Sequence, residues 1–217
     1  MDQRISLAAG LSLALAPAAM VVGHLGERDL SWKTNHVSTF AAHAAYDDWI
    51  TASMLLAAFA MLGIGTVVSS SSWPGGKVPS SLIAMALGAS VAGLLLLAAF
   101  EETAEGLAAL RRLGFGAIRQ QSFHDAGLYI FFHGAVLAVF ASGVAMLAER
   151  GVHTRILGAA VAASGPLAYA AMVISWPAML GIAGAGVGLK QRLSFLFLWT
   201  GAVLLLGAVT RQRRSTQ

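Results

Sequence analysis

The sequence predicts an all-α integral membrane protein: a bundle of six transmembrane helices forming one domain over residues 1–217. Three observations predict it. Hydrophobic residues make up 57% of the chain and charged residues 11%, about half the charge of a soluble domain. Six apolar stretches each approach the roughly 20 residues that a bilayer core of about 30 Å requires. Together they account for the chain and leave no room for a second folded domain.

The stretches are approximately Ile5–His24, Trp49–Val68, Ser81–Phe100, Gly127–Leu147, Ile156–Ser175 and Ser194–Val209. The first follows a single Arg4 and resembles a signal peptide, but its only cleavage-like stretch, Ala14 to Ala16, is followed by Pro17, a poor residue at a cut site. It reads as a retained helix. The sixth is the shortest and has room to begin a few residues earlier. Pro17 and Pro166 are expected to kink their helices, and small residues such as Ala84, Gly88 and Ala92 let helices approach closely. Trp49, Trp73, Trp176 and Trp199, with Tyr46, read as interfacial anchors near span ends.

The connections differ in content. The first, Leu25 to Asp48, is too long for a simple turn; Asn35 to Trp49 lacks Gly and Pro and predicts a short interfacial helix capped by Thr34 or Asn35. On it His36, Phe40, His43 and Asp47 form one stripe. The third opens with Glu101, Glu102 and Glu105, continues through a helical piece at Leu107–Leu113 to Gly114 and Gly116, and ends in a basic turn at Arg119. His124 and Asp125 then open the fourth span, where Asp125, Tyr129 and His133 share a face. The glycine run from Gly181 to Gly188 marks a mobile or closely packed fifth connection, and no strand–helix unit surrounds it to suggest nucleotide binding.

Charge sets the orientation. The even face carries the N-terminus, the second and fourth connections and the C-terminus; the odd face carries the first, third and fifth connections. Lys and Arg divide seven to seven. On the even face they lie in short segments, with Arg211, Arg213 and Arg214 abutting the last span, whereas the long first and third connections hold eight of the ten acids. Weighting charges by closeness to helix ends puts both termini in the cytoplasm.

The odd face therefore collects the groups capable of chemistry: His36, His43, Asp47, Asp48, Glu101, Glu102, Glu105, His124, Asp125 and His133. Imidazole with carboxylate suits a divalent metal such as zinc, for which His36, His43, Asp47 and His124 are the candidate ligands. The same groups without metal suit general acid–base catalysis, for which His124, Asp125, His133, Glu101 and Glu102 are the candidates. The plain alternative is a solvated polar loop, since no spacing here matches a strong metal signature. His133 lies within a span, where an ionisable residue usually faces a cavity or a partner; Glu101 and Glu102 are the expected partners. A b-type haem needs axial ligands that meet across helices, and His133 with His24 is the one pair so placed, which makes haem a minor alternative. The absence of cysteine excludes disulfides, thiolate metal sites and cysteine nucleophiles.

Three places resemble a bacterial and archaeal family of six-span membrane proteins known as a domain of unknown function, family 998. They are Asn35, Ser38 and Phe40 after span one; Phe100 to Thr103 with His124, Asp125 and Gly127; and Gly188 to Phe195 with Trp199. Glu101 stands where that family is expected to have Pro. The resemblance implies a prokaryotic cytoplasmic membrane and a polar outer site including Asn35, Ser38, His124 and Arg192, with no established activity. The expectation is thus a headgroup-level site that binds or acts on a lipid-like molecule. The alternative is an accessory subunit of a larger membrane complex, or a homo-oligomer, packed through Ala/Gly-rich faces. Membrane lipids are the expected partners in either case, and nucleic acid is not.

Overall fold

The computed structural model describes residues 3–25, 31, 35, 37, 47–70, 77–100, 115–149, 151–174 and 186–215. The described residues include six long helices: α1 (Gln3–His24), α2 (Asp47–Ser70), α3 (Lys77–Ala99), α4 (Phe115–Leu147), α5 (Val152–Val173) and α6 (Val187–Ser215). Each is long and apolar enough to cross a bilayer, so the chain is a multi-pass membrane protein. There is no strand among the described residues.

A helix satisfies every backbone donor and acceptor within its own segment, which hydrocarbon demands. Several hydroxyls in the spans are satisfied in the same way. Thr66 donates to Leu62 O, Ser90 to Ala86 O, Ser142 to Ala138 O and Thr200 to Leu196 O, all four residues back.

Consecutive helices run antiparallel and pack side by side, and α6 returns to touch α1, α2 and α4. In the α3–α4 and α4–α5 pairs, backbone approaches backbone. A Cβ added at Gly93 of α3 would meet the Phe131 backbone of α4, and one at Gly143 of α4 would meet the Ala162 backbone of α5. Only glycine admits that approach. Ile64, Ile83, Met146 and Leu205 are fully buried where the helices meet.

Two boundaries depart from the sequence reading. α4 starts at Phe115, so the stretch expected as a basic turn ending at Arg119 is helical; its Ala, Ile, Arg and Gln residues are compatible with helix. At 33 residues it is about 50 Å long and overhangs a core of about 30 Å. α6 starts at Val187, which places Lys190, Gln191 and Arg192 in its first two turns and Trp199 at mid-span rather than at an interface. Pro17 and Pro166 lie inside α1 and α5, as expected. The interfacial helix expected before Trp49 and the helical piece at 107–113 lie outside the described residues.

Candidate functional site

The end of α1, the first connection and the start of α6 meet at the odd end of the bundle. His24 closes α1, and its Nδ1 lies 2.6 Å from Met20 O. A carbonyl only accepts, so Nδ1 carries the proton and Nε2 is left as an acceptor. Arg192 Nη2 donates to that Nε2 at 2.5 Å. Arg192 Nη1 donates to Asn35 O at 2.9 Å and to Gly188 O at 3.0 Å. The neighbouring Gln191, buried, accepts the Val37 N–H on its Oε1 at 2.7 Å. Asn35 in turn closes a local loop, accepting from Ser31 N on Oδ1 and donating its own N–H to Ser31 O, both at 2.8 Å. Two adjacent side chains of α6 thus hold residues 35 and 37 against the bundle.

Beneath this knot lies a cavity of about 530 Å³, within the range of small-molecule sites. Met20 and Pro17 of α1, Met54 of α2, Leu97 of α3, Phe131 of α4 and Phe195 of α6 are among its walls. Phe131 and Phe195 meet edge to face, with centroids 5.7 Å apart. The polar lining is His24, Ser53 and Arg192, and Ser53 Oγ is already donating to Ala16 O at 2.7 Å. The cavity is therefore apolar in its body and cationic at its odd end.

A second cavity of about 400 Å³ continues the seam between α1 and α6 toward the even face. Ser6, Gly10, Val203, Gly207 and Thr210 line it, and Leu13 and Trp199 belong to both cavities.

The residues singled out from sequence divide between sites. Asn35 and Arg192 are brought together directly. His124 is 3% exposed and donates from Nδ1 to Phe100 O at 2.8 Å, joining α4 to the end of α3 beside the stacked Phe100 and Phe123 rings. Asp125, Tyr129 and His133 share a face as expected, but that face points out of the bundle. His133 donates from Nδ1 to Tyr129 O at 2.9 Å, within its own helix, and its ring sits among those of Tyr129, Phe132 and Tyr169. Nine residues at about 100° each turn His133 to the opposite side of α4 from His124, so the two do not converge. His133 and His24, the pair weighed for haem, likewise occupy different places: the outer α4–α5 surface and the α1–α6 contact. No group of three or more His, Cys, Asp or Glu that could hold a metal occurs among the described residues. His36, Ser38, His43, Glu101, Glu102 and Glu105, and the side chain of Asp47, lie outside them.

Gln191 entered the sequence reading only as part of the motif from Gly188 to Phe195, with no role of its own, and His24 only as a haem ligand. The available signal was the placement of both beside span ends, but nothing in the sequence pairs the end of the first span with the start of the sixth.

Comparison with protein-family models, with curated proteins and with solved structures finds no match to this chain.

Proposed function

We propose that the protein binds a lipid-like amphiphile at the odd end of the bundle, its apolar body in the larger cavity and its head against Arg192. The observation that carries this reading is a ligand-sized apolar cavity ending at a guanidinium. A cation is expensive near hydrocarbon and marks a functional position. Its positive charge, held in place by Asn35 O, Gly188 O and His24 Nε2, favours an anionic head such as a carboxylate or phosphate monoester at that end of the cavity. Binding is favoured over hydrolysis, because His124 is engaged with backbone and does not line the cavity. A metal-assisted reaction remains tied to His36, His43 and Asp47 with His124. With both termini cytoplasmic in a prokaryotic inner membrane, the head would sit in the outer leaflet.

The test uses purified protein in bilayer nanodiscs with an octadecyl carboxylate and an octadecyl phosphate, read by tryptophan fluorescence. Arg192→Gln is expected to weaken binding about tenfold or more, as loss of a charge-assisted hydrogen bond worth about 1.5–3 kcal/mol implies. Arg192→Lys should retain part of it. Undiminished affinity in a folded Arg192→Gln protein would sink the reading.

A second reading draws on a different observation. His133, Tyr129 and Tyr169 form a polar and aromatic patch on the outward α4–α5 surface, where an ionisable residue is unusual without a partner. That favours docking on another membrane chain, as an accessory subunit or a second copy. The absence of cysteine makes Leu137→Cys, one turn from His133, a clean probe. Oxidative cross-linking in native membranes that His133→Leu abolishes supports it; a protein that never cross-links and extracts alone refutes it.

A further inference from the structure

We infer that the whole seam between α1 and α6 is the track for the ligand's chain, and that Gly207 at its even end sets the longest chain accepted. This rests on the proposed amphiphile binding and adds the ligand's class: a single-chain amphiphile with one anionic head, carboxylate or phosphate monoester.

The two cavities are consecutive segments of one path. Leu13 of α1 and Trp199 of α6 border both, so the two cavities adjoin at these side chains, and the proposed chain passes from one to the other beside Trp199. Both are apolar, with only Ser6 and Thr210 as hydroxyls at the far end. Eighteen residues of α6 separate Arg192 at the head from Thr210 at the end, about 27 Å at 1.5 Å per residue. An extended alkyl chain, whose 1.5 Å bonds zigzag to about 1.25 Å of advance each, covers that distance with about twenty carbons. The smaller cavity takes a single chain: its walls are α1 and α6 alone, and these close in where Leu206 lies 3.7 Å from the Cβ position of Gly10.

Gly207 is the position that decides length. It lines the smaller cavity, and a Cβ built there meets nothing within 4 Å. A larger side chain would occupy the track without displacing backbone. Gly88 of α3 is equally open and lines neither cavity, which makes it the matched control.

The experiment titrates wild type, Gly207→Phe and Gly88→Phe in nanodiscs with saturated carboxylates and alkyl phosphates of twelve to twenty-four carbons. The wild type is expected to prefer chains near twenty carbons. Gly207→Phe should lose about tenfold in affinity for the longest chains while keeping the short ones, and Gly88→Phe should follow the wild type. Val203→Trp, at an exposed position on the same wall, serves if Gly207→Phe does not fold. Equal preference across the two head types points to shared oxyanion recognition; a preference for one identifies the source, and either leaves the track intact. A length profile that is flat, or unchanged by Gly207→Phe and Val203→Trp, overturns the inference while Arg192-dependent binding keeps the broader reading. Binding that is absent, or indifferent to Arg192→Gln, overturns both.

Discussion

The seams on the two sides of the bundle are built from the same small residues to opposite ends. Between α3, α4 and α5, glycine lets backbones touch: Gly93 meets Phe131 and Gly143 meets Ala162, with no room for a methyl group. Between α1 and α6, Gly207 faces open space and Gly10 makes only ordinary van der Waals contact. A lipid tail is as apolar as Leu, so a close seam persists through packing and an open one is filled by whatever chain fits. Glycine in a membrane helix thus says that something comes close, and only the partner tells whether it is another helix or a ligand.

The largest expected break comes from closing the wrong seam. Gly143→Leu should cost well over about 3 kcal/mol and remove most folded protein, since overpacking against backbone has no flexible side chain to yield; thermal unfolding in detergent measures it. Gly143→Ala, at about 1–3 kcal/mol, gives the graded version. Next is Arg192→Ala, expected to lower stability by about 1.5–3 kcal/mol through loss of charge-assisted bonds at the odd end, with no change in Gly143→Ala sensitivity. Ser53→Ala removes one interhelical bond to Ala16 O and should cost about 0.6 kcal/mol, the usual scale for such bonds in membrane proteins. The smallest effect has the opposite sign. Gly207→Ala should stabilise by up to about 1 kcal/mol, because its methyl group meets no neighbour and Ala is the better helix former. If Gly207→Ala and Gly143→Ala prove equally destabilising, the contrast between the seams is void.

The six spans were legible because hydrocarbon leaves the chain no other choice of structure. Their ends were less so. Apolarity fades gradually into Lys190, Gln191 and Arg192, whereas the backbone continues its helix through them, and Trp199 was misplaced as a consequence. Which side of each helix faces inward was hidden for a related reason. Spans that are apolar all round carry no polar stripe to orient them. His133 was expected to face a cavity or a partner, and its side chain lies on the outward surface of α4, while Arg192 entered the site only through family likeness. The contact of Arg192 with His24 joins the first span to the last, and a linear sequence holds no record of that adjacency.

The Gln191–Val37 and Arg192–Asn35 bonds bridge more than 150 residues of sequence and carry a consequence for how the protein is made. Of the six spans α6 leaves the ribosome last, so the first connection waits through the insertion of four further helices before its two anchors arrive. Until then the cavity lacks its α6 wall and its cation. The contacts at this end of the bundle are complete only once synthesis has passed Arg192. Assembly of this end is thereby tied to completion of the bundle, and a message truncated before Gln191 would insert a five-helix product whose first connection has lost both anchors.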